Sequence, residues 1–292
     1  MTTLNPTAPS AATGTRRRIV ASPGGWLVWG AVVLFMVFLV GIVGSVLVNS
    51  FGTRWFGTWL PEAATTQWYS QAWTDFSLMS VIIVTLEVAA AVVVLSVLVG
   101  VPASYVLARR DFPGKKVVYL AFLLPIMMPP ITYGIPLATV LYKFNLAGNI
   151  TGVILANLVP CVPFVILTMT PFIEQIDPAI ERAARMSGAR TFAIFTRILA
   201  PLLVPGILAS SILVLVRTVG MFELTFLTAG PDSSTLVVAL FNSMNAAGIR
   251  AQQSVDAMAV IYMTVMMVLL VIALRFVNPT QLVAQVKEEP EP

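Results

Sequence analysis

Six long apolar runs dominate this chain: residues 26–48, 78–107, 117–142, 152–173, 199–227 and 255–276. The hydrocarbon core of a bilayer is about 30 Å thick and takes about 20 apolar residues in a helix. Every run meets that length. Lipid offers no hydrogen bonds to the backbone, so only helices and closed barrels span it. Barrel strands alternate in polarity. These runs do not, as Ala89-Ala90-Ala91-Val92-Val93-Val94 illustrates. The expected fold class is an all-α membrane protein with six transmembrane helices. Of the 292 residues 58% are hydrophobic and 10% charged, against about 25% charged in a soluble domain. So few charges cannot cover a water-soluble globule, and so apolar a chain is not disordered. Runs 78–107 and 199–227 exceed the bilayer's requirement, which predicts tilt or a break.

The cations give an orientation. Thirteen of the 17 Lys and Arg fall on one side: Arg16, Arg17 and Arg18 before run 1; Arg109, Arg110, Lys115 and Lys116 between runs 2 and 3; Arg182, Arg185, Arg190 and Arg197 between runs 4 and 5; Arg275 and Lys287 at the end of run 6 or after it. Arg54, Lys143 and Arg250 stand alone on the other side, and Arg217 lies inside run 5. The positive-inside rule then predicts both termini of a multi-pass membrane protein in the cytoplasm. Residues 1–22 are expected to be a disordered N-terminus, 23–278 the membrane domain and 279–292 a cytoplasmic tail. Run 1 is too long for a signal-peptide core and reads as a retained anchor. The outer loop at 49–77 carries Trp55, Phe56, Trp59, Trp68, Tyr69 and Trp73. It reads either as an interfacial aromatic belt with a short lateral helix or as a partner-docking surface.

The absences exclude chemistries. There is no His and a single Cys, Cys161. Histidine-based catalysis, an internal disulfide and a thiolate metal cage are ruled out. No metal site and no cofactor are expected. The basic residues form no stripe, so nucleic acid is not an expected partner. No Gly-x-x-x-x-Gly-Lys-Ser/Thr loop is present to cradle ATP phosphates.

The loop at 174–198 carries the most information. Asp177 is a good N-cap and Pro178 a good first helical residue. Glu181 and Arg185 are four apart and can pair. Ile180, Ala183 and Ala184 are expected on one face, with Gly188 ending the helix. A second helix is expected over 191–199, up to Pro201 at the membrane. This segment resembles the cytoplasmic EAA loop of bacterial ABC importer permeases: Glu-Ala-Ala, three residues, Gly, nine residues, then Ile-x-Leu-Pro. Ala183, Ala184, Gly188, Ile198 and Pro201 match in register. Arg182 stands at the motif Glu, with Glu181 adjacent; Ser187 replaces the usual Asp and Ala200 the Leu. The likeness continues through Gly100–Arg109, Phe112–Lys116, Leu124–Pro130, Gly220–Leu227 and Ser234–Val238, covering roughly 70–278. Its flavour is closest to polyamine- and iron-type permeases.

The resemblance implies the type I ABC importer permease fold and a protein that is not an enzyme. This chain would form half of a solute path with a second permease, identical or paralogous. A dimer of ATPases would dock on the loop. A periplasmic or lipid-anchored binding protein would deliver the solute, a polyamine or a related small molecule. Glu181, Arg182, Ala183, Ala184, Ser187, Gly188, Ala189 and Pro201 would form the ATPase-coupling segment.

Inside the runs lie three ionisable residues, Glu87, Arg217 and Glu223. Such residues are costly in lipid and are functional candidates by default. Prolines gather in runs 3 to 5, and the carbonyls they free need protein or cavity water. Run 3, with Tyr133, is thereby the best candidate for lining a path. Tyr133, Arg217, Glu223 and Glu87 are the candidate path residues; interhelical pairing or ordinary kinks are the alternatives. A rival function is an ion-coupled secondary transporter using Glu87 and Glu223, but no pair of related halves is visible. An intramembrane enzyme lacks any nucleophile–base pair.

Overall fold

The computed structural model describes residues 23–53, 61–245 and 251–275. The expectations for 1–22, Arg54, Trp55, Phe56, Trp59, Arg250, Phe276, Lys287 and 279–292 lie outside the described residues. The described residues form helices α1 (Pro23–Phe51), α2 (Gln67–Asp75), α3 (Leu78–Arg109), α4 (Lys115–Met127), α5 (Pro130–Lys143), α6 (Ile150–Glu174), α7 (Pro178–Met186), α8 (Thr191–Ile194), α9 (Ala200–Val219), α10 (Glu223–Thr228), α11 (Leu236–Asn245) and α12 (Gln252–Arg275). Five helices are long and apolar enough to span a membrane, and α4 with α5 makes a sixth, bent candidate.

The core is the seam between α3 and α6, which α9 closes from the side. Val92, Val101 and Tyr105 of α3 meet Cys161, Val165 and Met169 of α6, with Leu203 and Val214 of α9. Gly100 sets the spacing: a Cβ there would lie 2.7 Å from Val165 Cγ1. Small residues at such crossings let helices approach closely, the main source of helix affinity in lipid.

Three departures from the expected spans have local causes. Run 3 is not one straight span, because α4 and α5 meet at 101°. Met128 precedes Pro129, which in turn precedes Pro130, and the residue before a proline is driven from helical to extended backbone. Met128 has ψ 142° and Pro129 ψ 132°. Single prolines do less: α6 carries Pro160, Pro163 and Pro171 and remains one helix. Run 5 begins earlier and stops sooner than expected. The helix is continuous over Thr191–Val219, so the separate helix expected to end before Pro201 does not exist. A π-turn over Phe195–Leu199 joins α8 to α9, with the Ala200 N–H bonding back to the Phe195 carbonyl. A turn of this width absorbs Pro201, whose missing N–H would otherwise break the ladder. At the far end Gly220 caps α9, a stop that hydropathy does not register. Glu223 therefore lies on the separate helix α10.

The α10–α12 connection holds the unanticipated helix α11, whose first N–H donates to Thr85 Oγ1 of α3 at 2.9 Å. The lateral helix of the aromatic loop is α2. Trp68 Nε1 donates to the Gly52 carbonyl at 2.7 Å and the Tyr69 hydroxyl lies 2.8 Å from Ser50 Oγ. Two of the aromatics thus fasten the end of α1, while Trp73 stays exposed. Along its length α1 packs on α12 and touches α2, and its central residues face outward.

Candidate functional site

The loop helix α7 is built by its own caps. The Asp177 carboxylate accepts the Ala179 N–H at 2.8 Å, and Pro178 occupies the first turn. Ser187 closes the other end, with its hydroxyl on the Ala183 carbonyl. Gly188 then turns the chain at φ +82°, a left-handed geometry that strains any residue with a Cβ. The turn lets the Ala189 N–H reach the Ala184 carbonyl at 3.0 Å.

What fixes α7 against the bundle is Glu181. Its carboxylate is 4% exposed and accepts from Tyr105 Oη at 2.8 Å, Arg109 Nε at 2.8 Å and Arg185 at 3.5 Å. Arg109 also donates to the Ile176 carbonyl, tying the end of α3 to the loop before α7. A buried carboxylate with three donors is well placed, whereas one left unpaired is strongly destabilising. Ala184 and Ala189 pack inward on the core. The single face expected for Ile180, Ala183 and Ala184 is therefore split: Ala184 turns in, while Ile180 and Ala183 turn out. The outward side continues into Met186, 85% exposed, and Phe192, 79% exposed. Arg182 and Pro201 are exposed as well.

At the other end of the bundle the structure draws three of the four interior candidates together. Tyr133 of α5 lies within electrostatic reach of both Arg217 of α9 and Glu223 of α10. The Arg217 guanidinium sits 5.8 Å from the Phe164 ring centroid, a cation–π distance. Asn157 of α6 donates to Thr225 Oγ1 at 3.2 Å. Tyr133 Oη, Arg217 Nε and Asn157 Oδ1 are nevertheless buried without a partner. Such atoms cost free energy in an apolar interior unless water or a ligand reaches them. Glu87 is elsewhere, exposed on α3, with no hydrogen bond or ion pair among the described residues. Its face also carries Ala90 and Val94, which line an apolar groove of about 330 Å³ between α3, α9 and α12.

Sequence reasoning missed Tyr105, Arg109, Asn157 and Thr225. A lone Asn in an apolar run is a readable signal for interhelical bonding. Of the three partners of Glu181, Arg185 was expected from its spacing, whereas Arg109 and Tyr105 are 72 and 76 residues away in the chain and leave no local mark.

Comparisons with known proteins agree with this architecture. The family model for the binding-protein-dependent transport system inner membrane component matches residues 97–282. The trehalose transport system permease protein SugB of Mycobacterium tuberculosis is 30% identical over 187 residues, 64% of this chain and 68% of that protein. The spermidine/putrescine transport system permease protein PotC of Escherichia coli is 26% identical over 264 residues, 90% of this chain and 94% of that protein. In fold, the chain superposes on a solved bacterial ABC transporter involved in the import of the acidic polysaccharide alginate. The TM-score is 0.68 at 20% identity, over 92% of this chain and 99% of that one. With its spanning helices, its capped loop helix and a family match over more than half its length, the chain belongs to the binding-protein-dependent inner-membrane transport components: it is a multi-pass permease subunit of an ABC importer, not an enzyme.

Proposed function

We propose that this subunit forms one half of a solute path and that α7 is the element on which a cytoplasmic ATPase dimer pushes. Both termini then face the cytoplasm. The observation that carries the reading is the two-sided character of α7: one side is bound to α3 through buried Glu181, and the other presents Ile180, Ala183 and Met186 unpartnered. A rigidly held helix with a bare apolar side passes a partner's movement to the spans on either side of it. Ser187, Gly188, Ala189 and Pro201 complete the segment by shaping the turn and its return to the membrane, and Arg182 lies exposed beside the apolar side of α7. The test is copurification of the ATPase with transport measured in parallel. Met186→Asp and Gly188→Leu are each expected to lower ATPase retention about tenfold or more, as a lost interface anchor does. If both variants keep ATPase and uptake, the docking role is wrong.

A second permease subunit is supported by Glu87. A charged side chain facing lipid near a helix centre costs about 2.5–3.5 kcal/mol, so its exposed face calls for protein or water. The path itself would run past Tyr133, Arg217 and Glu223, where bound water or solute satisfies the orphaned polar atoms. A periplasmic or lipid-anchored binding protein would supply the solute, in keeping with the family's description. For the solute we favour a polyamine or a related small cation. Of the two sequence relatives compared above, the one that matches the greater share of this chain is a spermidine/putrescine permease, and Glu223 gives a cation a carboxylate to meet. Radiolabelled spermidine uptake, challenged with excess trehalose or sulfate, tests this; inhibition by either in place of unlabelled spermidine removes the polyamine assignment.

A further inference from the structure

A pocket of about 210 Å³ opens where the end of α3 meets α7, beside the bare apolar side of α7. Arg109, Arg110, Arg182 and Arg185 line it, with Tyr105 and Glu181 buried in its wall. Four guanidiniums face one carboxylate, and that carboxylate is already occupied by Arg109, Arg185 and Tyr105. Neighbouring acids do not help: Asp111 pairs with Lys115 and Asp177 caps α7. Arg110 and Arg182 have no acceptor among the described residues. The pocket is thus a preformed cluster of cations with planar donors suited to bidentate phosphate recognition.

The surroundings say which anion. Val99, Pro102 and Val106 are exposed on α3 and lead along one side of the helix to Arg110. An apolar track ending in free guanidiniums matches an acyl chain ending in a phosphodiester. Basic pockets at the membrane ends of spanning helices recognise anionic headgroups in this way. We propose that the pocket holds the phosphate of an anionic phospholipid, which bridges the end of α3 to α7 through Arg110 and Arg182. The site stands apart from the solute path and shares Arg182 with the coupling segment proposed above, while the apolar side of α7 at Ile180, Ala183 and Met186 remains free when it is filled.

The experiment uses the assembled transporter in nanodiscs of phosphatidylcholine, with phosphatidylglycerol titrated in and retained lipid counted by native mass spectrometry. The paired variant Arg110→Gln/Arg182→Gln leaves the Arg109–Glu181 bond intact. It is expected to weaken phosphatidylglycerol retention about thirtyfold, the loss of two headgroup cations. The matched variant Arg197→Gln/Arg275→Gln removes the same charge elsewhere and is expected to retain the lipid. Equal loss in both variants, or no loss in the first, overturns the proposal. Displacement of the lipid by inorganic phosphate alone assigns the pocket to a soluble anion and overturns the lipid source. Retention seen only after the ATPase is stripped off assigns the cations to an acidic side chain of that partner and overturns it too.

Discussion

At the residue scale the Glu181 carboxylate gathers three donors on the loop side of the bundle. Replacing it with Ala leaves Arg109, 12% exposed, without its counter-ion. Removing one partner of a buried pair costs about 3–5 kcal/mol, so Glu181→Ala is expected to lower the thermal midpoint of the solubilised subunit clearly. Glu181→Gln keeps an acceptor for Tyr105 and is expected to cost less; an equal loss for both variants would mean that shape, not charge, holds α7. Gly100→Ala makes a different test. The new methyl would meet Val165 at 2.7 Å and is expected to destabilise by about 1–3 kcal/mol, as overpacking does. Val165→Ala should recover part of that loss in the double variant.

Elements differ in how far the chain betrays them. The caps of α7 follow from Asp177, Pro178 and Gly188, because capping is decided within four residues of the helix end. Membrane spans are legible for a similar reason: lipid requires about 20 apolar residues whatever surrounds them. The bend between α4 and α5 is half legible. Tandem prolines mark its position, but its 101° angle is not written locally, since the two arms also pack against α6 and α10. The hold of Tyr105 and Arg109 on Glu181 and the cluster at Tyr133 were not legible, since each joins helices distant in sequence. If the tandem prolines impose the bend, Pro129→Ala/Pro130→Ala should straighten it. Spin labels at 117 and 142 would then move toward about 38 Å, the length of 25 helical steps. An unchanged separation would show that packing, not the prolines, sets the angle.

On the scale of the whole molecule, α1 stands apart from the tightly packed seam of α3, α6 and α9. It is held along α12, with Asn49 Nδ2 donating to Asp256 across the pair. Asp256 in turn accepts from Gln252 at 3.2 Å. Asp256→Ala is expected to loosen α1 and to speed proteolysis near the α1–α2 connection, leaving the thermal transition of the seam little changed, because weakly packed units open independently of the core. A single cooperative loss of both would place α1 in the main folding unit.

The uninterrupted run from Thr191 through the π-turn to Val219 has a mechanical corollary. Thr191 follows directly on the turn after α7, and Arg217 stands 26 residues later, about 39 Å away at 1.5 Å per residue. No proline break or glycine stop intervenes before Gly220. Under the docking role proposed above, the piece would work as a pushrod: a shove on the loop would arrive at the guanidinium as displacement of its whole shaft, so a softer linkage spliced in around Leu199 should let the loop move while the cargo stays put.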